Sequence, residues 1–422
     1  MIPVFRVKVT DLTTHEVTYI SDILKQDAKV AIDRNRGQAS FQFQSSADIT
    51  NNSGENTGNS YLGQNLTYAL KMDNHIEIYY KTDPSQSWSA EPLFSGRITS
   101  LGHSISSQGR WTTVRATDRM RMLMNDIVAR VYENKTASYI VKDIIDQVNN
   151  RLDDTRKSYY EIGADYVSNG GYIQDTVEEV GYDISPGVYW IGRSDYPAWK
   201  WIEEMASRGN TGTYDGTLTN PIKPAFRGQG EHVFGNFISY IDATNEFHFS
   251  VKSTMASDTI KEGDFISMEA TQDSDGVKNV LLVNCGDDLN SNPIFIVARD
   301  TTSIREIGFK WGYEVDTKIS EVIKREHPGI SNTDLRDFSR KRGVEIWENI
   351  LRAGGRALWK STIKLKGTNA YNIGNLITLD IPSLSWSVRD LRIEEISHSI
   401  SKSGWITTLS LAQDAELVGA QV

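Results

Sequence analysis

Eleven letters written twice organise this chain: HSISSQGRWTT at 103–113 and HSISKSGWITT at 398–408. Aligned without gaps, 97–113 and 392–408 share nine of 17 residues. The matches include Arg97/Arg392, Ile98/Ile393, His103/His398, Gly109/Gly404, Thr112/Thr407 and Thr113/Thr408. Ordinary composition gives about one match over such a length. The likeness extends upstream, where NHIEIYY at 74–80 faces NLITLDI at 375–381, and ASFQFQ at 39–44 faces STIKLK at 361–366. Apolar residues at every second position mark strands with one buried side. Each copy therefore reads as strand, strand, long loop, strand, glycine turn, strand, and predicts a small antiparallel sheet or barrel. Gly109 and Gly404 supply the turn residue that a tight hairpin needs.

Between the copies the pattern changes. Asp118 is set to cap a helix carrying Met120, Leu123, Met124, Ile127 and Val131 on one face. Thr136 or Ser138 caps a second with Ile140, Val141, Ile144, Ile145 and Val148 together. YPAWKWIEEMASRGN predicts a short amphipathic helix, FISYIDATNEFHFSV at 237–251 a hairpin, and VKNVLLVNC at 277–285 a buried strand. ARDTTSIREIGFKWGYE at 298–314 reads as a strand or turn element, and a helix follows at 334–353. A chain of 422 residues exceeds one core, so roughly two to four domains are expected. The boundaries fall at 1–118, 119–235, 236–332 and 333–422.

Composition excludes several functions. With 39% apolar, 10% aromatic and 24% charged residues the chain is an ordinary globular one. A net charge of −10 argues against a surface built to grip phosphate backbones. One cysteine, Cys285, forms no disulfide framework and reads as a small buried apolar residue. No window reaches the ~20 apolar residues of a membrane span, and the N-terminus lacks a signal peptide's pattern.

No motif carries catalysis. The seven histidines have no metal-ligand spacing. His103 and His398 invite a metal, but equivalent positions in two duplicated strands read as inherited scaffold. The paired glutamates of IEEM and VEEV point apart on a helix or strand, as solvated faces do. Phosphate-binding glycine loops and a GxSxG elbow are missing. Catalytic residues, metal and cofactor are therefore all expected to be none. Two weaker alternatives are kept: a cell-wall hydrolase or peptidase using Glu203, Glu204 and His232, and a carbohydrate-binding adhesin using exposed Trp190, Trp199 and Trp201.

Taken with VKNVLLVNCG, ARDTTSIREIGF and the closing IGNLITLDIP…RIEEISHSISKSGWITTLSLA, the stretch FSGRITSLGHSISSQGRWTTVRATDRMRMLMNDIVARVYENKTASYIVKDII resembles the baseplate hub proteins of tailed bacteriophages. The bases of type VI secretion spikes are related to them. Ser303, Ile304 and Gly308 match that family's Ser-Ile-x-x-x-Gly element. The resemblance implies a mainly β chain with α (α+β). Two duplicated tail-tube-like antiparallel β-barrel domains would flank a helical segment and a small inserted α/β domain. It further implies a homotrimeric, pseudo-sixfold ring in the virion tail baseplate, assembled in the host cytoplasm. The expected partners are its own copies, the tail tube or distal tail protein, the central spike or tail-tip protein, the tape-measure C-terminus and surrounding baseplate proteins. DNA would pass without specific binding. The residues marked as structural are Arg97, His103, Gly109 and Thr113, with Arg392, His398, Gly404 and Thr408.

Overall fold

The computed structural model describes residues 4–413, except 21–28, 51–69, 174–187, 211–236 and shorter breaks of one to five residues. It opens with β1 (Val4–Thr10), β2 (Val17–Ile20), β3 (Lys29–Asp33), β4 (Gln38–Gln44), β5 (Ile49–Thr50), β6 (His75–Lys81), β7 (Phe94–Ser106) and β8 (Gly109–Thr117). A helical layer follows: α1 (Arg119–Asn125), β9 (Val131–Lys135), α2 (Ala137–Asn149), α3 (Asp154–Tyr160), β10 (Tyr166–Val167), β11 (Tyr172–Ile173), β12 (Val188–Ile191), α4 (Ala198–Arg208), β13 (Gly209–Asn210), β14 (Phe237–Ile241) and β15 (Phe247–Val251). Next come β16 (Asp258–Lys261), β17 (Phe265–Gln272), β18 (Val280–Asp287), β19 (Pro293–Arg299), α5 (Thr301–Ile307), β20 (Trp311–Val315), α6 (Lys318–Glu326) and α7 (Asn332–Gly354). The chain closes with β21 (Trp359–Lys366), β22 (Leu376–Ile381), β23 (Trp386–Ser401) and β24 (Gly404–Gln413).

The fold is mainly β with helices, and its largest element is one 14-stranded sheet. Its path runs β17-β21-β24-β23-β3-β4-β8-β7-β6-β1-β2-β5, with β22 also on β23 and β16 on β22. The two expected barrels do not close: among the described residues no pairing joins the ends of either half. The reason lies in β23. Its first part, Trp386–Arg392, pairs with β22 of its own half, while Ser397–Ile400 pairs with β3 of the other. An edge used on a neighbour cannot close its own half, so the halves merge into one open sheet.

Each half keeps its own core. Phe5, Val7, Ile32, Phe41, Ile76 and Val114 fill the first, joined by Ile400 and Trp405 from across the joint. Ile260, Ile363, Leu379, Leu391, Ile393 and Leu409 fill the second. The inward residues alternate along each strand, as the sequence pattern requires.

The helices pack as a third body. Asp118 caps α1 by accepting from the N–H groups of Met120 and Arg121. Residues Ile140, Val141, Ile144, Ile145 and Val148 of α2 are fully buried on one face. Helix α1 is shorter than its apolar spacing predicts: it stops at Asn125, Ile127 is 46% exposed, and Val131 opens a strand. Ser138 lies inside α2 rather than capping it. The hairpin of β14 and β15, assigned above to 236–332, packs Phe237, Phe247 and Phe249 against these helices. Strands β16 and β17 instead join the second half of the large sheet.

A fourth core lies between the sheet β19-β18-β20 and the helices α6 and α7. The stretch read as a strand or turn at 298–314 is helix α5 followed by β20. Asp300 accepts from Thr302 and Ser303 N–H to start α5, and Gly308, at φ +77°, ends it. Among the described residues only the inner face of this sheet is covered. On the other, Phe295 is 43% exposed and Trp311, Tyr313 and Val315 are each 56% exposed.

Candidate functional site

The repeated hairpins pair in the same register. His103 faces Thr112, Ser104 faces Trp111 and Ser106 faces Gly109. His398 faces Thr407, Ser399 faces Ile406 and Ser401 faces Gly404. Both carry a bulge at the matching place, between Ile98 and Ser100 and between Ile393 and Glu395. The turns that enter β6 and β22 also correspond. Asp73 and Gly374 both have positive φ, at 72° and 85°, and their N–H groups donate to Ile98 O and Ile393 O. A left-handed residue is costly for anything but glycine, asparagine or aspartate, which accounts for the residue types found there.

The two histidines share a partner and differ in everything else. Each Nδ1 sits against a threonine Oγ1, His103 on Thr112 at 3.2 Å and His398 on Thr407 at 3.1 Å. His103 is exposed, whereas His398 is 2% exposed. Over His398 lies β3, with His398 opposite Ile32 and Ile400 opposite Val30.

Arg34 pins this joint. Its Nε donates to His398 Nε2 at 3.3 Å, its Nη1 to Asp242 O at 2.8 Å, and its Nη2 to Leu93 O at 3.4 Å and to Asn369 Oδ1. One guanidinium thus ties β3, the loop before β7, the β14–β15 turn and the second half together. Burial pulls it down to about 10, opposed by Asp242 and Asp118, so it stays charged at neutral pH. A guanidinium only donates, so His398 Nε2 accepts from Arg34, while Nδ1 lies between Thr407 Oγ1 at 3.1 Å and the indole N–H of Trp405, whose Nε1 donates to it at 3.3 Å. The Thr407 hydroxyl donates to Thr368 O at 3.0 Å. Burial, then the Arg34 charge, holds His398 well below the ordinary histidine range. The imidazole is neutral and fully occupied by the joint.

The remaining marked residues have separate surroundings. Arg97 reaches Asp73 at 3.5 Å, while buried Arg392 donates to Gly374 O at 2.8 Å. Gly109 and Gly404 both open their strands, and Gly404 adopts φ +130°. Thr113 and Thr408 are half-buried on the outer side; the threonines that point inward are Thr112 and Thr407, each 1% exposed. Ser303 is buried and accepts from Asn279 Nδ2 at 3.1 Å, and the same amide donates to Gly308 O at 2.8 Å. Asn279 Oδ1 takes the N–H of Lys310 at 2.8 Å. Buried Asn279 therefore holds both ends of the Ser303–Gly308 element.

No group of His, Cys, Asp and Glu fit to hold a metal occurs among the described residues. Glu203 is bound to Trp199 Nε1 at 2.7 Å; the side chain of Glu204 and all of His232 lie outside the described residues. Two of the three aromatics expected of an adhesin, Trp199 and Trp201, form no exposed platform. Trp199 is 7% exposed, and Trp201 is fully buried with Nε1 donating to Val128 O at 3.0 Å, because the amphipathic face of α4 turns both into the helical core. The Trp190 side chain lies outside the described residues. Cys285 is buried, as expected. No described helix is long and apolar enough to cross a membrane.

No protein-family model matches the sequence, and no curated protein matches it. Solved structures do. The 43 kDa tail protein of prophage MuSo2 from Shewanella oneidensis aligns over 98% of this chain and 98% of its own, at a TM-score of 0.54 and 12% identity. The tail protein from Neisseria meningitidis MC58 aligns over 99% of each chain, at a TM-score of 0.51 and 10% identity. The fold is that of prophage tail proteins. The tail-protein fold spans the whole chain, so the helical layer and the small mixed sheet belong to it as much as the strands do.

Proposed function

We propose that the chain is a structural, non-enzymatic baseplate hub of a phage tail or related injection device. In this reading three copies form a ring of six similar lobes around a channel. The supporting observation is the doubled strand arrangement: β4-β8-β7-β6 and β21-β24-β23-β22 share order, hairpin register and bulge position within one chain of tail-protein fold. Two such units per subunit let a threefold assembly meet a sixfold tube on one side and a threefold spike on the other. The partners that follow are the tail tube or distal tail protein, the central spike or tail-tip protein, the tape-measure C-terminus and neighbouring baseplate proteins. The place is the tail of the virion. A net charge of −10 suits a conduit through which DNA passes without being held.

Mass in solution tests the reading. Light scattering is expected to give three times the 47.4 kDa chain, with no salt-sensitive DNA binding and no clearing of cell-wall substrate in a zymogram. A chain that stays monomeric at every concentration, or one that cleaves cell wall, overturns it.

A further inference from the structure

The joint between the halves is a template for a second contact. Strand β3 pairs with the 397–400 part of β23, as Asp33–Ser397, Ile32–His398, Ala31–Ser399 and Val30–Ile400. The counterpart of that β23 edge in the first half is 102–105 of β7. Beyond Arg97, β6 no longer pairs with β7, and among the described residues nothing else does on that side. Gly102, His103 and Ser104 are exposed there.

The counterpart of β3 is β17. Gln42 of β4 lies between Lys29 of β3 and Thr113 of β8. Lys364 of β21 lies between Ser267 of β17 and Thr408 of β24. Because Thr113 and Thr408 are equivalent, Met268, Glu269, Ala270 and Thr271 stand where Val30, Ala31, Ile32 and Asp33 stand. The alternation agrees: Met268 and Ala270 are half-buried and Glu269 and Thr271 exposed, while Val30 and Ile32 are buried and Ala31 exposed. Strand β17 ends the sheet, and its outer edge has no partner among the described residues. Neither edge, GHSI at 102–105 or MEAT at 268–271, carries the lysine or proline that usually guards an open strand.

We infer that β7 of one copy pairs antiparallel with β17 of the next, in the register Gly102–Thr271, His103–Ala270, Ser104–Glu269 and Ile105–Met268. The inference rests on the proposed ring and adds the surface that builds it. The contact is head-to-tail, with each copy offering β7 on one side and β17 on the other, and repetition closes a ring when the rotation allows. In the seam His103 takes the place that His398 holds in the joint, with Ala270 in place of Ile32. The serines on the outer side remain wet in both.

Directly opposed strand residues have Cβ atoms about 4.5–5.5 Å apart, near enough for a disulfide, whereas diagonal ones are too far. Chains carrying Ser104→Cys and Glu269→Cys are therefore expected, on mild oxidation, to link between copies into a ladder ending at a closed species. Mixing the two single variants should give linked pairs only. Ser104→Cys with Ser267→Cys, two residues out of register, should link far less. Separately, Ser104→Glu sets two carboxylates face to face and should weaken assembly about two- to fivefold per seam, with Glu269→Lys restoring it. Assembly without linkage at Ser104/Glu269 overturns the seam and leaves the hub reading standing. Linkage into open filaments upholds the seam and removes the ring. Failure to assemble at all removes both.

Discussion

His398 stays neutral inside the joint, and that has a measurable sign. Its folded pKa lies well below 6.5, and that of His75 is lowered to about 4, mainly by burial. As pH falls below about 6.5 the unfolded chain binds protons that these two imidazoles refuse, so each subtracts stability on the acid side. Asp118, raised to about 7 by burial, works in the opposite direction between about pH 7 and 4, since the folded chain then takes the extra proton. His398→Gln removes one acid liability. The loss of stability between pH 7 and pH 5, read from urea midpoints, should shrink by up to about 2 kcal/mol. An unchanged loss would mean that His398 is protonated in the fold. Asn279→Ala leaves Ser303, Gly308 and Lys310 without their amide, and should cost about 3 kcal/mol in denaturant unfolding. A cost below about 1 kcal/mol would show that the element stands without it. Sequence reading singled out His398 and Ser303 but not their holders. Arg34, within DRNRG, resembles a solvated turn residue, and its partner lies 364 positions away.

At the scale of elements the strands were the most readable part, because alternation with a two-residue period has few other meanings. Closure was not readable. Whether β23 completes its own half or borrows β3 is decided by backbone edges, which leave no mark in side-chain pattern. Helix ends were readable where a cap existed, as at Asp118, and misread where apolar spacing ran on past Asn125 into a strand. Helix α7 holds a glycine in its interior, Gly343, where propensity alone favours alanine by about 1 kcal/mol. An added Cβ would lie 2.6 Å from Cys285 Sγ and 3.1 Å from Ile296 Cδ1. Gly343→Ala should therefore destabilise the chain by about 1–3 kcal/mol despite the gain in propensity. Stabilisation in thermal unfolding would show that α7 packs less closely on β18 and β19.

For the whole molecule, the doubled arrangement matters more than any single side chain. Inside one chain the joint uses one β7-type edge and one β3-type edge, and one of each has no partner among the described residues. In the proposed ring a lone subunit is half of a repeating contact. The small mixed sheet also presents an apolar outer face, where Phe295, Trp311, Tyr313 and Val315 are exposed among the described residues. The twice-written stretch is a repeat in the sequence itself, and both copies fold as hairpins of the same register. The difference between its copies, one covered and one exposed, needed the fold. Averaged images of the purified assembly viewed down its axis test the central claim most directly. The account predicts threefold symmetry with six similar lobes around an open channel. A ring of another order, or lobes alternating between two unlike shapes, would contradict it.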